Sequence, residues 1–210
     1  MSALRAALDE AAAGHSSLWL VAGEAGIGKT RLVGELEAAA TGFTVLRGES
    51  LEFGGDALAL GPVVSALRGH GGLPRAEGAD ALFELLLGQL GREAEDAPVL
   101  LILEDIHWAD QATLALLAFR AANLRVERIV VVATYRVDDE LSPAVRRLVR
   151  ELVRRRTVTR TELRPLTLAE VAQLAEELQF LPKKEHKRRE TEFTDRARRA
   201  DRRSSSGGWT

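Results

Sequence analysis

Short apolar runs recur along this chain, and each gives way to a stretch in which apolar residues return every three or four positions. Leu18-Trp19-Leu20-Val21-Ala22 is the first run; Thr44-Val45-Leu46-Arg47-Gly48, residues 98–103, residues 128–134 and the alternating segment 157–163 follow it. The uncharged runs 18–22 and 98–103 suit strands buried on both faces. Between them, residues 31–40, 58–68, 79–90, 110–124 and 142–155 carry helical spacing. Asp110 stands where an N-cap is needed, with Leu114, Leu117, Ala118 and Ala121 on one face behind it. Ser142 followed by Pro143 opens the next helix, a capping hydroxyl with proline in the first turn. Glycines 69, 71 and 72 with Pro74 mark a loop. Thr167-Leu168-Ala169-Glu170 forms a capping box for a last helix to about Leu178. Five strands alternating with helices predict an α/β three-layer sandwich around a five-stranded, mainly parallel sheet. Ligands then belong at the carboxyl ends of the strands.

The chemistry-bearing residues fall at those ends. Gly23-Glu24-Ala25-Gly26-Ile27-Gly28-Lys29-Thr30 is a complete G-x-x-x-x-G-K-[ST] phosphate-binding loop between the first strand and the first helix expected after it. Its glycines let successive backbone N–H groups turn toward phosphate oxygens, and the new helix adds its positive end, with Arg31 just inside. Lys29 supplies a charge for the β/γ-phosphates, and the Thr30 hydroxyl a ligand for Mg²⁺. The third strand ends in Glu104-Asp105, a Walker B pattern: one carboxylate serves Mg²⁺, the other orients or deprotonates the attacking water. Strand alternation sends the two in different directions, and which takes which role stays open. Arg136, at the end of the fourth strand, can report on a γ-phosphate. His107 and Trp108 are read as packing residues around Asp110. His15, His70 and His186 have no metal-ligand spacing.

Composition narrows the setting. At 210 residues and 46% apolar, the chain suits one α/β domain with a sizeable core and a short remainder. The absence of cysteine excludes disulfides and thiolate metal sites and favours a cytoplasmic address. No apolar run is long enough to span a bilayer, and the N-terminus lacks a signal-peptide pattern. The net charge of −2 hides an asymmetry: residues 183–203 balance at +5 and the remainder at −7. Without interleaved aromatics or a helix-turn-helix pattern, that basic segment reads as a solvated, disordered tail over 181–210, and direct DNA binding is not expected.

Taken together, residues 23–32, Leu103-Glu104-Asp105-Ile106-His107-Trp108-Ala109-Asp110, Ala133-Thr134-Tyr135-Arg136 and Arg164-Pro165-Leu166-Thr167-Leu168-Ala169-Glu170-Val171 resemble the ATPase domain of the large ATP-binding LuxR-family regulators. These are STAND signal-transduction ATPases within the AAA-like P-loop fold. The resemblance spans roughly residues 4–178, and the His-Trp-Ala-Asp run is its most specific part. It implies an AAA-like P-loop NTPase domain over residues 1–180, with ATP/ADP and Mg²⁺ as cofactors. By the same resemblance Lys29 and Thr30 bind phosphate and Mg²⁺, Glu104 and Asp105 form Walker B, and Arg136 is the sensor arginine of a T-x-R motif. The family works as a switch, closed with ADP and opened by exchange for ATP, with slow hydrolysis resetting it.

Departures from the family pattern shape the functional expectation. The Gly-Arg-Glu segment that precedes the family's first helix is not matched, and after Leu178 the sequence no longer follows the family's lid, winged helix, repeats and DNA-binding module. The expectation is a core without its lid, truncated at both ends, its downstream modules replaced through a frameshift or truncation. The leading reading is an ATP-binding, slowly hydrolysing switch domain whose partners are nucleotide and either another protein or a second copy. The alternatives are a self-sufficient ATPase, a DNA-binding regulator in its own right, and a non-functional fragment.

Overall fold

A computed structural model describes residues 1–52, 59–123, 127–137, 141–165 and 167. Five strands, β1 (Ser17–Gly23), β2 (Thr44–Glu49), β3 (Val99–Glu104), β4 (Ile129–Arg136) and β5 (Val158–Glu162), form one sheet in the order β2-β3-β4-β1-β5. Every pairing is parallel. The six α-helices described are α1 (Ser2–Ala12), α2 (Lys29–Ala39), α3 (Gly61–Ala66), α4 (Ala79–Asp96), α5 (Gln111–Ala122) and α6 (Pro143–Leu152), with a 3-10 turn at Ile106–Trp108. The chain divides into two units, Met1–Arg164 and Pro165–Thr210. The sheet lies in the first. Of the second, only Pro165 and Thr167 are described, so the expected helix to Leu178 and the basic tail fall outside the described residues.

Strand alternation sorts the core into two layers. Val21, Leu100, Ile102, Val130 and Val132 face α1 and α2, where Leu4, Leu8, Val33 and Leu36 close over them. Leu20, Leu101, Leu103, Val131 and Ala133 face the other way, into a larger core with buried residues of α3, α4, α5 and α6. Because β3 is buried along its whole length, it carries no polar alternation, as expected of a central parallel strand. The result is the three-layer α/β sandwich read from the sequence.

Where boundaries differ from the expectation, packing explains the difference. The 79–90 helix continues to Asp96 through Gly91, because Leu90 and Ala94 extend the buried face begun by Phe83 and Leu86. β4 runs on to Arg136, since Tyr135 is buried as well. α1 has no counterpart among the expected elements, although Leu4, Ala7, Leu8 and Ala11 are its buried face at helical spacing.

Candidate functional site

β1 delivers the phosphate loop to the carboxyl edge of the sheet, and the loop's shape follows from its glycines. Gly26 and Gly28 adopt φ of 73° and 106°, a region costly for residues with a Cβ. Gly28 is the left-handed N-cap from which α2 starts, its carbonyl accepting from the Leu32 N–H at 2.9 Å. Gly23 is needed for room: a Cβ there would lie 2.8 Å from Ile27 Cγ2. Lys29 is buried, and its Nζ donates to the Gly23 and Glu24 carbonyls at 3.0 and 2.8 Å. The side chain is thus drawn back along the loop, its ammonium held beside the turn of Gly23 and Glu24.

Ala25, Gly26, Gly28, Lys29, Thr30, Asp105, His107, Trp108 and Arg136 line one hollow of about 410 Å³. Sheet register assembles it. Gly23 at the end of β1 is paired with Arg136 at the end of β4, and the Val137 N–H donates to the Gly23 carbonyl at 3.3 Å. The sensor candidate and the phosphate loop therefore end adjacent strands side by side. Asp105 follows β3 with φ of 54°, and its N–H donates to the hydroxyl of Thr134 on β4 at 3.0 Å. Its carboxylate lies 3.7 Å from His107 Nδ1. A larger hollow, about 600 Å³, opens between α4 and the start of β4, at the opposite end of the strands and lined by none of these residues.

A family model described as the AAA ATPase domain matches residues 1–132. The chain belongs to this family. The solved structure of Cdc6p from Pyrobaculum aerophilum is similar in fold to this AAA ATPase domain, with a TM-score of 0.54 at 20% identity; the match covers 83% of this chain and 46% of that one, so the chain spans less than half its length. No curated protein matches the chain. The family supports a nucleotide-binding ATPase core, with nucleotide and usually Mg²⁺ as its ligands.

Within this AAA ATPase domain the acidic pair is divided. Glu104 lies on the α2 face of the sheet and is not among the residues lining the hollow. Its side chain is only 6% exposed, and Oε1 accepts from Arg47 Nε at 2.7 Å and Nη2 at 2.6 Å. Arg47 Nη1 donates in turn to Glu37 Oε2 on α2 at 2.8 Å. Burial pulls the Arg47 guanidinium pKa down, but hydrogen bonding and charge from Glu104 and Glu37 outweigh it and leave it above its ordinary value. Both acids are legible in the sequence at the end of a buried run, but Arg47 is not, because a lone arginine inside a strand pattern gives no motif.

His107 and Trp108 also differ in place from a purely packing role, since both line the hollow. The His107 side chain is nearly buried against Asp105 and Trp108, with the two rings 5.0 Å apart, while Trp108 is partly exposed. Asp110 is the N-cap expected of it, accepting from the Ala112 and Thr113 N–H groups at 2.9 and 3.0 Å. The donor set suits Mg²⁺ delivered with a nucleotide: a hydroxyl and a carboxylate, both hard oxygen donors, line the phosphate-loop hollow. Among the described residues no cluster of three or more His, Cys, Asp or Glu forms a cation cage of its own. Nor is any described helix long and apolar enough to cross a membrane.

Proposed function

We propose that this chain is a nucleotide-switch ATPase core: it binds Mg-ATP and Mg-ADP at the phosphate loop, hydrolyses ATP slowly, and signals through which nucleotide is held. The observation that carries this reading is the juxtaposition of Arg136 with the phosphate loop across the β1–β4 pair. A guanidinium there can contact a γ-phosphate that ADP lacks, which gives the two nucleotides different interactions with one site. In this reading Gly23, Glu24, Ala25, Gly26, Ile27, Gly28 and Arg31 form the loop and first helical turn around the phosphates. Lys29 supplies the charge, and Thr30 a hydroxyl donor for Mg²⁺. Bound Mg²⁺ would neutralise charge on the β- and γ-phosphate oxygens. Asp105, beside His107, accepts a hydrogen bond from the attacking water and holds it in line.

The motif residues Leu103–Asp110 and Thr134–Arg136 support a finer assignment, to the STAND switches of LuxR-type transcriptional regulators acting in the cytoplasm with a protein partner or a second copy. Arg136→Ala tests the switch. Preference for ATP over ADP, measured by calorimetric titration of each, should fall about tenfold or more, in line with one lost charge-assisted contact, while ADP affinity stays. Equal losses for both nucleotides would contradict the sensor role. Turnover on the scale of seconds in the wild-type protein would replace the switch with a self-sufficient ATPase.

A further inference from the structure

Charge is unevenly placed along the unit that holds the sheet. Residues 141–164 carry eight arginines, no lysine and two glutamates, whereas residues 1–140 carry 21 acidic and 11 basic residues. The basic segment is α6, the turn after it and the edge strand β5. α6 seats Val145, Leu148 and Leu152 in the core. At 3.6 residues per turn, Arg147 and Arg150 then fall on the opposite side, and both are exposed. The backbone keeps winding past Leu152: the Arg154 N–H donates to the Glu151 carbonyl at 3.4 Å, and the Arg155 N–H to that of Leu152 at 2.9 Å. That carries Arg154 onto the side of Arg147 and Arg150, about one turn further on. Arg154 and Arg156 are exposed and Arg155 is half-buried. Among the described residues, none of these five arginines forms an ion pair, although Glu151 lies between them in the chain. Like charges at this spacing repel one another, and an anion laid across them relieves that repulsion.

The chemistry of the surface selects the anion. Arginine at every basic position suits flat, two-oxygen acceptors such as phosphate diesters and carboxylates. Residues 141–164 contain no aromatic ring, and Val153 is the one large apolar side chain exposed there, so the aromatic anchors of a protein–protein hot spot and the stacking platform of a single-strand site are both missing. The segment also holds no Asn, Gln or His to take the 2′-hydroxyls by which RNA is told from DNA. We propose that Arg147, Arg150, Arg154, Arg155 and Arg156 form a sequence-independent binding surface for the phosphate backbone of double-stranded DNA. In the segment 183–203 acids are interleaved with the cations; here guanidinium charge stands almost alone. The missing helix-turn-helix pattern bears on base readout and not on phosphate contact. None of the five lines the phosphate-loop hollow, so binding here does not depend on the nucleotide reading.

The test is fluorescence anisotropy of a labelled DNA duplex of about 20 base pairs and arbitrary sequence, titrated with the full chain between about 50 and 200 mM salt. Affinity should fall about a hundredfold or more across that range, as neutralising about four to five phosphates requires. Arg150→Gln with Arg154→Gln, folded by circular dichroism, should lower affinity at low salt about tenfold or more and reduce the salt slope by about two. Arg147→Gln with Arg156→Gln is a second pair from which the same loss is expected. Arg202→Gln with Arg203→Gln, in the basic segment outside the surface, should stay within about threefold of wild type. The inference is overturned if the wild-type chain binds no duplex at low salt, if both α6 pairs bind as wild type does, or if the 202–203 pair loses the binding in their place. Tighter binding of poly-glutamate or of duplex RNA at the same salt would overturn it in favour of an acidic protein or an RNA. Self-association that the α6 pairs abolish, without any duplex binding, would overturn it in favour of a second copy of the chain.

Discussion

Two glycines five positions apart in the phosphate loop do different physical work. Gly23 is required for space, since a methyl group would press on Ile27 Cγ2 at 2.8 Å and on Leu163 Cβ at 3.3 Å. Gly28 has open space around its missing Cβ but sits at φ of 106°. Gly28→Ala should therefore cost about 1–2 kcal/mol of stability through backbone conformation alone, read as a lower urea midpoint at unchanged m-value. A loss well above that range would mean the site is crowded after all. At this scale the sequence was most informative where a motif names each position: Lys29, Thr30, Asp105 and Arg136 do meet around one hollow. It could not divide Glu104 from Asp105, because the partner that captures Glu104 comes from β2, 57 residues away in the chain. Nor did residue type reveal that His107 and Trp108 line the hollow, which depends on the 3-10 turn that carries them.

Elements are held where backbones come closest. Gly48 on β2 has no Cβ because the carbonyl oxygen of Pro62, at the start of α3, would lie 1.8 Å from it, with the Ala66 nitrogen at 3.2 Å. A strand glycine at such an approach lets a helix seat directly on the sheet. Gly48→Ala has backbone, not a flexible side-chain end, to displace, so it should destabilise by at least the ~1–3 kcal/mol typical of overpacking, seen as a lower melting temperature. A neutral result would contradict the seating of α3 on β2. Strand positions and helix caps were legible in advance, since buried runs and Ser142 or Asp110 before a periodic segment are local signals. The end of α4 was not: Gly91 reads as a stop until the burial of Leu90 and Ala94 extends the face beyond it.

On the scale of the whole molecule, the strand order is what creates the site. β1 lies between β4 and β5, so the phosphate loop at its tip is flanked by Arg136 at the tip of β4, and β3 with its acidic pair is one strand further on. Alternation of strands and helices predicts a parallel sheet and a ligand edge, yet it leaves the order open, since order depends on which crossovers skip a strand. The amphipathic pattern of α1 is present in the sequence but lies ahead of β1, outside the alternation of strands and helices that marks the sheet. The fold and the AAA ATPase family membership together make nucleotide binding through Lys29 the claim on which every finer proposal about the phosphate-loop site depends. The most direct measurement is calorimetric titration of the purified full chain with Mg-ATP and Mg-ADP, beside a folded Lys29→Ala variant. The account predicts saturable binding of both nucleotides that is lost in the variant. Equal affinity in the variant, or no binding by a wild-type protein shown to be folded, would contradict it.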